Sequence, residues 1–437
     1  MSTPRGGELL RAPLFHTPRN PFLENGALET QWDGGLLIRD GRIIACGDYP
    51  ALRAQHPEAT TRDLRGGFLL PGLIDTHIHF PQLRIMGGLG RPLLDWLEQR
   101  ALPEEARMAD EPYARQTARR FVRALAAHGT TTALVFGAHF APATAALFET
   151  AEEKGLRVIS GLVLSDRHLR RELHQTPDAA YHASIGLIRC YHGRGRQLYA
   201  LTPRFAMSAS EPMLEVCQTL LREHAGIRFQ THINENLAEV AETAKLFPWA
   251  KDYLAVYERF GLVDSRSVLA HNVHASSSEL DRLAASGGTV AHCPSSNAVL
   301  GSGIFPMQQH ALRGVRFALG TDVGAGTGFG MLKEALQAYL MQRVAPNGML
   351  LDAARMLFLA TRAGAEALGL EQEVGDFQPG KAADFVYIRP PADSSLAAVL
   401  ERAQSAEDAL AALFTLAGQD SVAEVRVEGA LVHSDAR

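Results

Sequence analysis

The stretch "PGLIDTHIHF", Pro71–Phe80, sets two histidines one residue apart, directly behind the apolar run "GGFLLPGLID". On a strand, residues two apart share a face. A strand over 73–79 therefore points His77 and His79 the same way. Two imidazoles side by side can grip one metal ion, because neutral imidazole suits zinc, copper, iron and nickel. His-x-His is also found as two ordinary polar residues at a strand end, so the surrounding chain has to decide.

Outward from this run the chain alternates. Strand-like runs recur at "TTTALVF" (130–136), "LRVISGLVL" (156–164), "QLYALTPRF" (197–205), "IRFQTHI" (227–233), "SVLAHNV" (267–273), "TVAHCP" (289–294) and "RFALGTDV" (316–323). Helix-like stretches such as "EPYARQTARRFVRALAAHG" and "EPMLEVCQTLLREHAG" lie between most of them, several opening with Ser, Pro or Glu and closing with Gly. With 73–79 this gives eight strands, and eight strands alternating with helices predict an α/β fold of the (β/α)8 TIM-like barrel type. The first ~70 and last ~60 residues read differently, as short β runs with turns such as "RDG". They predict one small β-sandwich domain built from both chain ends. The expected boundaries are 1–70, 71–377 for the barrel, and 378–437.

The chain has 437 residues, 46% hydrophobic and 21% charged, with a formal net charge of -5. That balance argues against nucleic acid or an acidic membrane surface as partner. The opening "MSTPRGGELLRAPLFHTPRN" has no long apolar core, and no apolar run is long enough to span a bilayer. The four cysteines, Cys46, Cys190, Cys217 and Cys293, form no CxxC pair and read as incidental or buried thiols. A cytoplasmic, soluble protein is expected.

In a (β/α)8 barrel the chemistry sits at the C-terminal ends of the strands. Those ends carry His77 and His79 on strand one, Arg204 and Phe205 on strand four, His232 with Glu235 on strand five, His271 on strand six and Asp322 on strand eight. His77, His79, His232 and Asp322 form a three-nitrogen, one-oxygen set suited to one catalytic metal with an open position for water. Zinc is the expected ion, one per chain, and iron also suits this donor set. Strand four offers neither Lys nor Glu to bridge a second ion. Glu235, three residues after His232, is placed to pass a proton from water to a leaving group. His271 can hold the charge that develops in the transition state. Glu235, His271 and Asp322 are thus the candidate catalytic residues, while His274 and His292 read as packing or supporting histidines.

These residues carry a resemblance. "PGLIDTHIHFPQ", "TPRFAMSASE", "THINEN", "LAHN", "AHCPSSN" and "GTDVGAG" resemble the amidohydrolase superfamily, and more narrowly its guanine deaminases. The likeness also takes in "RPLLDWLEQRALPEEAR" and "VGDFQPGKAADFVYI", and so covers nearly the whole chain. The narrower features are Gln82, the "LLDWL" segment with Trp96, and "TPRF". The resemblance implies zinc on His77, His79, His232 and Asp322, and Glu235 as proton shuttle. It implies Gln82, Trp96, Arg204 and Phe205 against the purine, with His232 and Glu235 reaching the reacting end. It further implies a homodimer and a small purine substrate: water adds at C2 of guanine, ammonia leaves and xanthine remains. "VFGAHF" and "SDRHLRRELHQTP" match less closely. Rival readings are a deaminase of 8-oxoguanine or another heterocyclic amine, a chlorotriazine-type hydrolase, and a non-enzymatic scaffold barrel.

Overall fold

The computed structural model describes residues 6–435. Eight parallel strands form the barrel sheet in chain order: Leu73–His79, Thr130–Phe136, Arg157–Gly161, Leu198–Pro203, Arg228–Ile233, Ser267–His271, Thr289–His292 and Arg316–Leu319. Most of these strands are buried along their whole length, as strands covered on both faces are, which is why they read as continuous apolar runs rather than alternating ones. The barrel closes between its first and last strands. Asp322 N–H donates to the His77 carbonyl at 2.8 Å, His79 N–H to the Val323 carbonyl at 3.0 Å, and the Thr76 hydroxyl to the Leu319 carbonyl at 2.8 Å.

The helices between strands begin at side-chain caps. Asp110 accepts from Tyr113 N–H with Pro112 in the first turn, while Asn236 with Glu239 and Ser276 with Glu279 form capping boxes. The helix Ala141–Lys154 stops at Gly155, whose φ of 83° is left-handed. The helices pack their apolar faces on the barrel exterior through residues such as Phe121, Leu147 and Leu220.

The two chain ends meet in one eight-stranded mixed sheet. Phe68–Pro71 runs beside Glu8–His16 on one side and pairs antiparallel with Phe385–Ile388 on the other. Leu10, Leu36, Phe377 and Phe385 fill its core, and Arg62 pairs with Glu424 across the junction. The "RDG" turn is a hairpin with φ of 49° at Asp40 and 77° at Gly41, the two left-handed residues a tight turn of matching twist requires. Between the C-terminal strands lies a helical pair, Ser395–Leu400 and Ala406–Leu416, which the strand-like style of that end does not announce. Leu410, Leu413 and Phe414 pack it into the barrel's main core. Among the described residues no helix is long and apolar enough to cross a membrane. The four cysteines are unbridged: Cys190 is exposed, Cys46 is partly covered, and Cys217 and Cys293 are buried.

Candidate metal centre and substrate cavity

The strand ends bring the expected ligands together. His77 and His79 close the first strand, His232 sits near the end of the fifth, and Asp322 stands just past the eighth. Nitrogens of His77, His79 and His232 all lie within 4.8 Å of one another. His79 Nε2 is 3.2 Å from His232 Nε2, and Asp322 Oδ1 is 3.3 Å from His77 Nε2 and 3.2 Å from His79 Nε2. Ligand atoms at zinc distances around a tetrahedral ion would be about 3.3 Å apart. The spacing therefore fits a single divalent cation.

Protonation argues the same way. Burial drives His79 down to about 3, His77 below its ordinary value and His232 well below it, so the three rings are neutral. Burial pushes Asp322 up, but the adjoining His77 and His79 outweigh it and leave the carboxylate well below the usual range. His232 Nδ1–H donates to the Arg204 carbonyl at 2.5 Å, which turns the lone pair of Nε2 inward. His77 Nε2 is buried with no hydrogen-bond partner. Inward lone pairs a little over 3 Å apart are unfavourable unless a cation lies among them. Cys293 also lies within reach of His77 and His271, but burial, aided by Asp322, holds its thiol well above the ordinary value, so it offers no thiolate.

Beside the cluster lies a cavity of about 370 Å³. Gln82, Arg204, Glu235 and His271 face it from the polar side; Leu93, Trp96, Phe205 and Leu300 face it from the apolar side. Glu235 is buried; Ser302 Oγ donates to its Oε1 at 3.3 Å and His271 Nε2 is 3.5 Å from its Oε2. Burial, then the nearby Asp322, pushes the Glu235 carboxyl up to about 8. His271 Nε2 is also 3.8 Å from Asp322 Oδ2, so this imidazole faces both carboxyl groups. Its other nitrogen is paired with Asn297 Oδ1 at 2.9 Å. Arg204 and Phe205 extend the fourth strand toward the fifth, with Phe205 bridged to His232.

The structure gathers Gln82, Trp96, Arg204, Phe205, His232, Glu235, His271 and Asp322 around one cavity, with His77 and His79 in the ligand cluster. It keeps two histidines outside. His274 Nε2 is 2.7 Å from the Ser302 carbonyl, and His292 stacks on Phe305 with ring centroids 4.4 Å apart.

Several residues near the site escape sequence reasoning. Glu105 lies behind Gln82 and Arg204, Asn297 holds His271, and Ser302 holds Glu235. The one signal for Glu105 is an acidic doublet in "PEEA" (103–106), a short step after the apolar "LLDWL" segment (93–97). The backbone is a second surprise. Asn234, His271, Asn272 and Asp322 adopt left-handed φ of 50°, 73°, 48° and 49°. Non-glycine residues in that region cost on the order of 1–3 kcal/mol each and collect at functional sites.

A profile of the Amidohydrolase family matches residues 68–432. The chain belongs to the amidohydrolase family. A shorter match, residues 34–59, is to the Imidazolonepropionase-like composite domain of bacteria and falls on the N-terminal hairpin region. The chain is 54% identical over 431 residues to a "Probable guanine deaminase" of Deinococcus radiodurans, covering 97% of this chain and 98% of that one. It is 39% identical to the "Guanine deaminase" of Escherichia coli K12, covering 96% and 95%. The solved structure titled "E. coli Guanine Deaminase" superimposes with a TM-score of 0.94 at 38% identity, covering 98% of this chain and 99% of that one. The family match and the histidine cluster together make this a hydrolase with a histidine-rich metal site.

Proposed function

We propose that this chain is a guanine deaminase that converts guanine and water to xanthine and ammonia. One observation carries the reading: a donor-bearing pair, Gln82 and Arg204, faces the same small cavity as a cluster of three histidines joined by Asp322. The likeness to guanine deaminases over nearly the full chain length supports it.

His77, His79, His232 and Asp322 would hold the ion; zinc is the best fit to three imidazoles and a carboxylate, with iron as the alternative. When bound, a divalent cation there supplies Lewis acidity that makes water a nucleophile near neutral pH. The chain's own residues do the rest. Phe205 offers a flat face to the base. Arg204 presents only donors and so meets an acceptor, O6 or a ring nitrogen. Gln82 can donate and accept. The cavity sets donors on one side against the flat Trp96 and Phe205 and the apolar Leu300 on the other, which suits a compact bicyclic base. Glu235 takes a proton from the attacking water and returns it to the exocyclic nitrogen. His271 steadies the charge that develops on the oxygen or nitrogen bound to C2. The C2–O bond forms and the C2–N bond breaks; one water proton leaves with the amine as ammonia, and the other ends on N3 as C2 becomes a carbonyl in xanthine.

The chain is organised as 1–70, 71–377 and 378–437 and works in the cytoplasm, and its resemblance to guanine deaminases implies that it assembles as a homodimer. Ultraviolet monitoring of guanine loss, paired with an ammonia assay, tests the reaction. Guanine should be consumed with one ammonia per turnover, ahead of adenine, 8-oxoguanine and a chlorotriazine. No turnover of guanine by metal-loaded protein would overturn the reading.

A further inference from the structure

We infer that Glu105 is a positioning residue that fixes which hydrogen-bonding groups Gln82 and Arg204 present to the base. The inference rests on the guanine reading above and adds a residue to its specificity device.

Glu105 belongs to the short helix Leu102–Ala106, which follows a π-helical turn at Leu97–Ala101 over the barrel mouth. Its side chain is only 2% exposed. Oε1 accepts two hydrogen bonds: from Gln82 Nε2 at 2.8 Å and from Arg204 Nη1 at 2.7 Å. One oxygen thus ties together the two side chains that carry polar recognition in the cavity.

The consequence for Gln82 is a fixed amide. Gly324 N–H donates to Gln82 Oε1 at 3.1 Å on the opposite side. Turning the amide over would set oxygen against the Glu105 carboxylate and NH2 against the Gly324 N–H. Both contacts would be unfavourable, so a single orientation survives. Gln82 is left with one N–H and one lone pair for the base.

The consequence for Arg204 is charge and aim. The guanidinium is only 3% exposed, and Glu105 is its paired carboxylate. The imidazole nearest the other carboxylate oxygen, His139 Nδ1 at 3.4 Å from Oε2, is held neutral by burial, so it does not compete for the negative charge. A charge-assisted bond to a buried carboxylate holds Arg204 in one rotamer, with its remaining N–H groups free. Glu105 itself need not reach the base: it lies behind both residues and does not line the cavity.

A merely structural ion pair would lower stability when broken and weaken all ligands alike. A positioning role has a different signature. Hypoxanthine keeps O6 and N1–H of guanine but lacks the reacting amine; purine lacks O6 as well. The ratio of their inhibition constants reads the polar contact to the oxygen-bearing edge without turnover. Wild-type protein should bind hypoxanthine more tightly than purine. In Glu105→Ala the hypoxanthine constant should rise roughly 10–100-fold, the scale of a lost charge-assisted hydrogen bond, while that of purine changes less than about 3-fold. Glu105→Gln retains an acceptor oxygen in the same place without the charge. It should keep the fold and shift the ratio part of the way, roughly 3–10-fold, which keeps the test decisive if the alanine variant fails to fold. Metal content is measured on every sample. A folded, metal-loaded variant whose ratio stays at the wild-type value overturns the inference. Wild-type protein that neither deaminates guanine nor prefers hypoxanthine overturns the guanine reading instead.

Discussion

Replacing Glu235 by glutamine separates proton transfer from everything else this side chain does. Gln has the same shape, and its amide oxygen can still accept the Ser302 hydroxyl that lies 3.3 Å from Oε1. Burial and Asp322 hold the native carboxyl up to about 8, so in the ion-free protein near neutral pH the side chain is largely uncharged, and Gln matches its charge as well. Neither Glu235 oxygen is among the close contacts of the ligand cluster, which run between the histidines and Asp322. Stability and metal content should therefore stay near wild type. What disappears is the proton that must leave water and reach the amine. A positioned acid–base group contributes ~10²–10⁴-fold, and this one acts at two points, so a loss of at least ~10²-fold is expected. That corresponds to roughly 3 kcal/mol or more of barrier. Guanine loss followed by ultraviolet absorbance should show kcat and kcat/KM falling together with KM little changed. Near-wild-type turnover in a metal-loaded variant would refute the assignment.

Arg204→Ala removes a donor from the cavity and leaves the Glu105 carboxylate buried without its cation. Guanine kcat/KM should fall about 10²-fold, and the melting temperature should drop because breaking a buried pair costs about 3–5 kcal/mol; unchanged guanine kinetics in folded protein would place the purine contact elsewhere. Chelation should abolish activity and lower the melting temperature, with about one equivalent of zinc per chain restoring both, since a ligand at 100 times its Kd adds about 2.7 kcal/mol; activity that survives complete metal removal would sink the ligand assignment. His16, pushed down to about 4 by burial, accepts the Phe377 N–H at 3.2 Å while neutral. Its folded value lies below its unfolded value of 6.5, so its stability is full above 6.5 and is lost as pH falls toward about 4. At about 1.4 kcal/mol per pH unit this is roughly 3 kcal/mol. Denaturant unfolding of His16→Gln should show a shallower acid slope than wild type across that window, and an identical slope would refute the assignment.

The barrel is readable from sequence because its strands are buried on both faces. A run such as "TTTALVF" cannot be confused with an amphipathic surface strand, and it lies at 130–136 as expected. The cation ligands are readable for a related reason. They end apolar strands, where a polar residue is conspicuous, and a closed barrel brings all strand ends to one rim. Glu105 lacks both advantages. "PEEA" reads as an ordinary solvated helix turn, and its burial arises only when the segment folds over the mouth against Arg204, 99 residues away. The helical pair at 395–416 is hidden differently. "AEDALAALFTL" carries a helical period, but it sits between two clear strand runs whose style dominates the region. Burial does not tell the histidines apart, since His271 and His292 are each 1% exposed. His271 and His292 end neighbouring strands, yet one faces Glu235 and the other lies against Phe305.

The same rim concentrates most of what is locally unfavourable in this chain. Four non-glycine residues there take left-handed backbone, neutral imidazoles turn lone pairs toward one another, and the buried Glu235 carboxyl is pushed up to about 8. Local propensity would choose none of these, so tertiary packing must impose them. Asn234 donates to Asn272 and to Glu279, which caps the helix after the sixth strand, and Asn272 is in turn 3.1 Å from His310 Nε2. These bonds tie the left-handed residues to helices outside the barrel. A rim held this way needs little reorganisation when a base arrives, because the donors and the proton shuttle already point into the cavity. Preorganised groups of that kind contribute most where charge develops. The residues that hold the rim should therefore affect turnover more than substrate affinity, whereas Gln82 and Arg204, which face the cavity, and Glu105, which holds them from behind, should show in selectivity.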